Sequence, residues 1–99
     1  MSLDAVGNLR TNNGSISTAL NITAATVVKA TPGRCVCISV LVAGSAGAAY
    51  DSASTAGTSA ANKFFTIPAA VGVSWIDWPC STGIVVQPGS GQTVAVSFA

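Results

Sequence analysis

The stretch Thr26-Val27-Val28-Lys29-Ala30-Thr31-Pro32-Gly33-Arg34-Cys35-Val36-Cys37-Ile38-Ser39-Val40-Leu41-Val42-Ala43-Gly44 decides the fold. Pro and Gly at the second and third positions of Thr31-Pro32-Gly33-Arg34 spell a type II turn. Pro fixes φ near the required value, and Gly accepts the positive φ that a side chain resists. Two strands folded about this turn are therefore expected. The second holds the longest apolar run of the chain, Cys35 to Ala43, interrupted only by Ser39. Simple alternation places Val36, Ile38, Val40 and Val42 on one face, β-branched throughout and suited to a core. Cys35, Cys37, Ser39 and Leu41 fall on the other, which is uncharged. Such a strand belongs in the middle of its sheet, with its outer face covered as well.

Working outward, Ser15 to Ile22 alternates in part and reads as a short edge strand. Residues 1–14 have little periodicity and read as an N-terminal arm, with Leu3, Val6, Leu9 and Arg10 as its anchoring contacts. Downstream, Ala48 to Ser52 reads as a short strand, and Ser52 to Ala61 as a long Ser/Thr/Ala/Gly surface loop of the kind used for contacts. Strands are then expected over Asn62–Ile67, Gly72–Trp78, Gly83–Gln87 and Gln92–Phe98, each bounded by Pro or Gly. The last has the clearest period of two, with Val94, Val96 and Phe98 inward. Seven to eight short strands with no convincing helix predict one all-β domain over residues 15–99. Its architecture is a two-sheet β-sandwich, jelly-roll or immunoglobulin-like.

Only 7% of the 99 residues are charged, against about 25% in an ordinary soluble domain. A monomer normally keeps itself soluble with a mixed charged surface. A surface so poor in charge predicts that other protein subunits cover much of it. The net charge of +1 comes from scattered residues (Arg10, Lys29, Arg34, Lys63), which is no footprint for a nucleic-acid partner. The apolar run at Cys35–Ala43 has about half the length needed to span a bilayer, so no membrane partner is expected. Met1-Ser2-Leu3-Asp4 lacks the basic and apolar regions of a secretory signal, so synthesis in the cytoplasm is expected.

Catalysis is not expected. The chain has no His, and its acidic residues are Asp4, Asp51 and Asp77, too scattered for paired acid–base work. Cys35 and Cys37 have no His to activate them. Two residues apart on a strand, they point to one face at a separation unsuited to a disulfide. Without His or a Cys-x-x-Cys spacing no metal site is expected, nor is any cofactor. The three cysteines read as buried free thiols. Trp75 and Trp78 lie three apart on one strand and so face opposite sides. Trp75 is expected in the core and Trp78, beside Pro79 at the strand end, is the candidate contact anchor.

From Tyr50 onward a further pattern is present. Tyr50-Asp51 is followed by a Ser/Ala-rich loop to Asn62, then by Ile67-Pro68 and Gly72. Pro79, Gly83-Ile84-Val85-Val86 and Pro88-Gly89-Ser90-Gly91-Gln92 come next, and Val94-Ala95-Val96-Ser97-Phe98 closes the series. This order resembles small β-rich virion proteins of tailed bacteriophages, and within that group is most similar to capsid decoration (cement) proteins. The resemblance covers about half the chain. It implies a protein made in the host cytoplasm that sits on the capsid surface of the virion. There it would bind the major capsid protein as dimers or trimers of itself and bridge neighbouring subunits. The alternatives are another virion part (head-fibre base, tail tube or adaptor subunit) or a carbohydrate-binding adhesin module.

Overall fold

The structure, a computed structural model, describes residues 16–99. The expected arm lies outside the described residues, and Leu3, Val6, Leu9 and Arg10 with it. The strands are β1 (Ser17–Ile22), β2 (Thr26–Lys29), β3 (Gly33–Val42), β4 (Gly47–Tyr50), β5 (Lys63–Ile67), β6 (Gly72–Cys80), β7 (Ile84–Gln87) and β8 (Thr93–Phe98). They form two four-stranded sheets of order β1-β8-β3-β6 and β2-β7-β4-β5, with every pair antiparallel. Among the connections between successive strands, β4–β5 alone stays within a sheet, and each of the others crosses to the opposite one. Eight strands wound in this order make a jelly roll, which decides between the two sandwich types.

The Thr31–Arg34 corner differs from expectation. β2 pairs with β7 and β3 with β6 and β8, so the two strands flanking Pro32-Gly33 are not a hairpin. The corner carries the chain from one sheet to the other. Nor is Gly33 among the glycines with positive φ. Its lack of a side chain is required by crowding instead, since a Cβ there would collide with the Ala99 carbonyl oxygen and the Lys29 side chain. Ala99 is held in that place by reciprocal backbone hydrogen bonds with Arg34, both 2.9 Å.

β3 is central, between β8 and β6, as its two uncharged faces predicted. The alternation along it is not simple, however. The register shifts between Cys35 and Cys37 against both neighbours. A bulge inserts one extra residue and so moves every later side chain to the other face. Cys35 therefore joins Ile38 and Val40 in the core, while Cys37, two residues on, stands outside the core cluster. Leu41 and Val42, beyond a second shift at Val40/Val42, are about half exposed. The two thiols expected on one face thus lie on opposite faces. All three cysteines are free and buried.

The core between the sheets comprises Ile22, Cys35, Ile38, Val40, Ala49, Ile67, Cys80, Ile84, Val86, Val94 and Val96. Each fully buried Val or Ile is worth roughly 1.5–3 kcal/mol of transfer free energy. Val94 and Val96 point inward as the period of two predicted, and Phe98 packs against the same cluster. The buried Gln92 is satisfied: its Nε2 donates to the Pro68 carbonyl at 2.7 Å and its Oε1 accepts from the Gly89 N–H at 3.1 Å. One side chain thereby ties the β5–β6 connection to the β7–β8 turn.

Candidate functional site

The outer face of the β1-β8-β3-β6 sheet is built by strand register. Residues directly opposite one another across antiparallel strands share a face. One outward row runs Thr18–Ser97–Cys37–Trp75, and the next runs Ala95–Ser39–Val73. Leu20 extends the second row from β1, where a register shift between Ala19 and Ile22 accommodates an extra residue beside Asn21 at φ 56°. Leu41 and Val42 stand at the end of the face beyond Ser39. The exposures are unusual: Trp75 77%, Leu20 71%, Val73 56%, Leu41 52% and Val42 51%. The remaining positions are Thr, Ser, Ala and Cys.

No charged side chain lies in these rows. Charge enters at one end of the face, where Arg34 and Asp77 neutralise each other. Arg34 Nε donates to Asp77 Oδ1 at 2.9 Å, and Arg34 Nη2 lies 2.9 Å from Asp77 Oδ2. This two-point contact matches the planar guanidinium to the carboxylate. Asp77 adopts φ 45°, a left-handed conformation that Asp tolerates better than most residues. It sits in the irregular part of β6 where three residues span from Trp75 to Trp78 while β3 advances only from Cys37 to Cys35.

Both tryptophans are exposed, where one is expected inside. Trp75, expected in the core, is the most exposed large apolar side chain of the described residues. Trp78, the candidate contact anchor, is half exposed and already has a partner within the domain. Its ring stacks on Phe64 of β5, with centroids 6.0 Å apart and planes 3° from parallel. β6 and β5 are edge strands of opposite sheets, so this pair closes one open side of the sandwich. The physical reason is register: Gly72 and Ser74 lie opposite the inward-facing Val40 and Ile38, and Ile76 packs against the core, so Trp75 between Ser74 and Ile76 faces outward.

The second sheet and its loops carry more polar features. A groove of about 400 Å³ on the second sheet is lined by Tyr50, Lys63, Thr66, Gln87 and the Pro88–Ser90 turn, among others. The Ser52–Ala61 loop contains a 3₁₀ turn at Thr55–Gly57, and its own hydrogen bonds brace it. Ser54 Oγ accepts from the Gly57 N–H at 3.1 Å, and Asn62 Nδ2 donates to the Gly57 carbonyl at 2.8 Å.

Asp51, at the end of β4, is engaged by the turn that crosses from β6 to β7. Its carboxylate accepts from the N–H groups of Ser81 (3.0 Å), Thr82 (2.8 Å) and Gly83 (3.3 Å) and from the Ser81 hydroxyl (3.1 Å). Desolvation pushes the carboxyl pKa up, but these donors together outweigh it and hold it below its ordinary value. Burial, with Cys80 and Cys37 nearby, pushes the Cys35 thiol up to about 12; burial and Asp51 push Cys80 up to about 11. Among the described residues no three His, Cys, Asp or Glu side chains converge as metal ligands. No helix of the described residues is long and apolar enough to cross a membrane. Comparisons with protein-family models, with curated proteins and with solved structures found no match to this chain.

Proposed function

We propose that the protein is a structural virion component, a capsid decoration protein that binds the outside of the assembled phage shell and bridges neighbouring major capsid subunits. The observation that carries the subunit-contact part of this reading, with the shell or with another copy, is the uncharged outer face of the β1-β8-β3-β6 sheet, with five large apolar side chains at least half exposed. Contiguous exposed apolar surface marks interaction sites. The virion part rests on the resemblance of the turn-and-strand order from Tyr50 to Phe98. The jelly roll accommodates the reading but does not select it, because viral capsid and lectin domains both use this fold. A non-catalytic role agrees with the way the described aspartates are spent, Asp51 on a turn and Asp77 on Arg34.

A ligand that binds only the assembled shell stabilises it by mass action, so many copies of modest affinity suffice. The exposed Trp75 indole also offers a platform for a sugar ring. Its neighbours, however, are Val73, Cys37 and Ser97 rather than the convergent polar groups that orient a small ligand. The test is to mix empty capsids with recombinant protein and sediment them. Co-sedimentation near one copy per major capsid subunit is expected. A few copies per particle favours a tail or fibre part, and retention on glycan arrays without capsid binding overturns the proposal.

A further inference from the structure

We infer that the outer face of the β1-β8-β3-β6 sheet is covered by the same face of a second copy of this chain, in a two-fold, face-to-face pair. The inference rests on the subunit-docking reading above and names the subunit. Three observations select a second copy.

The first is charge. In a two-fold contact the same patch meets itself, so any charged residue near the axis confronts its own kind. The rows Thr18–Ser97–Cys37–Trp75 and Leu20–Ala95–Ser39–Val73 carry no charge, and Arg34 and Asp77 are paired at the margin. The outer face of the other sheet carries the exposed Lys63 in register with Tyr50, and lacks this self-compatibility.

The second is area. Strands of six, six, ten and nine residues, at about 4.8 Å spacing and about 3.3 Å rise, give a footprint of about 500 Å² of flat sheet. That is of the same order as the roughly 800 Å² each partner buries in a standard interface.

The third is shape. The row nearest the middle of the face is built of small residues, Ala95 and Ser39, between the larger Leu20 and Val73. A two-fold axis through the middle of the face, with the sheets crossed at the roughly 30° usual for stacked sheets, sets small centre against small centre and bulky margin against bulky margin, so the two sheets approach most closely at the axis. Trp75, exposed at 77%, is the anchor, in keeping with the enrichment of Trp among residues that dominate interface energy.

The test uses the full chain without capsids. Sedimentation equilibrium across a concentration series gives the dimer dissociation constant, and tryptophan emission during dilution reports burial of Trp75. The expected result is a dimer that Trp75→Lys and Leu20→Lys each weaken by at least tenfold. Far-UV circular dichroism and melting temperature check that both variants stay folded. Emission should shift to the red on dissociation. Leu20 is on β1, the edge opposite β6. If Trp75→Lys breaks the pair and Leu20→Lys leaves it intact, the copies join edge to edge through β6 and the face-to-face inference is overturned. A wild-type protein that stays monomeric at 100 µM overturns it as well. A monomer that still coats capsids, and loses this with Trp75→Lys, assigns the face to the shell: the decoration reading then stands and this inference fails. A dimer weakened by both substitutions that does not bind capsids upholds this inference and overturns the decoration reading.

Discussion

Replacing Asp51 by Ala removes an acceptor that serves four donors from one turn. Hydrogen bonds to a charged group contribute about 1.5–3 kcal/mol each when buried. Asp51 is only partly buried, so solvent screening reduces them well below that. A close analogue is a helix N-cap, where one carboxylate satisfies free backbone N–H groups and its loss costs about 1 kcal/mol, at most about 2. We therefore expect Asp51→Ala to destabilise by roughly 1–2 kcal/mol, lowering the melting temperature by about 5–15 °C in a domain of this size.

The pH dependence follows from the direction of the shift. The folded carboxyl is held below the ordinary value of 3.8. Its stabilisation is fully present above the unfolded value and is lost as pH falls through the folded one. Melting curves of wild type and variant, followed by circular dichroism, should be well separated at neutral pH. The separation should begin to shrink below pH 3.8 and close only in stronger acid, once pH has fallen through the lowered pKa of the folded carboxyl. A variant melting within about 1 °C of wild type at neutral pH would refute the assignment of Asp51 as the tie of this turn. So would a gap that persists unchanged into strong acid.

The thiols offer an independent measurement. With Cys35 pushed up to about 12 and Cys80 to about 11, their thiolate populations at pH 8 are minute. A thiol reagent should leave both unmodified in the folded protein and label all three cysteines in denaturant. Peptide mass spectrometry showing Cys35 or Cys80 modified at the rate of a small free thiol contradicts their burial. Gly33→Ala tests the corner. Forcing a methyl against the Ala99 carbonyl should cost about 1–3 kcal/mol, seen as a lower urea midpoint at unchanged slope. An unchanged midpoint would show that the two segments approach less closely than this.

How far the fold is legible in the sequence depends on the range of the interactions involved. Strand existence is encoded locally, by Pro and Gly punctuation and by alternation, and the strands ending at Ile22, Ile67 and Phe98 lie where those signals put them. Strand pairing is a long-range property. Thr31-Pro32-Gly33-Arg34 has the chemistry of a hairpin turn, yet the strand after it pairs with β6 and β8, across separations that no local motif encodes. The bulge at Val36 is equally silent, because nothing in Cys-Val-Cys announces an extra residue. Simple alternation therefore puts Cys35 and Cys37 together, where the bulge sets them apart. Trp75 departs from expectation for a related reason: hydrophobicity alone says bury, whereas the register of β6 against β3 turns Ser74 and Ile76 inward and leaves the indole outside. The scarcity of charge is legible at once. The structure adds where on the described surface it is most complete.

The winding of the two sheets also sets a schedule for synthesis. β1 has a single neighbour, β8, and β2 has only β7. β3, which holds the longest apolar run, waits for β6 and β8. As the chain leaves the ribosome, β4 and β5 are the one adjacent pair able to close early, and the first three strands emerge long before any partner exists. At about 5–20 residues per second that wait lasts several seconds. Throughout it the unpaired edges of β3 are open to other nascent chains, with few charges nearby to repel them. A protein wound in this way commits to its fold only when β8 arrives to join β1 and β3 in one step. Chaperones have most to do in the seconds before.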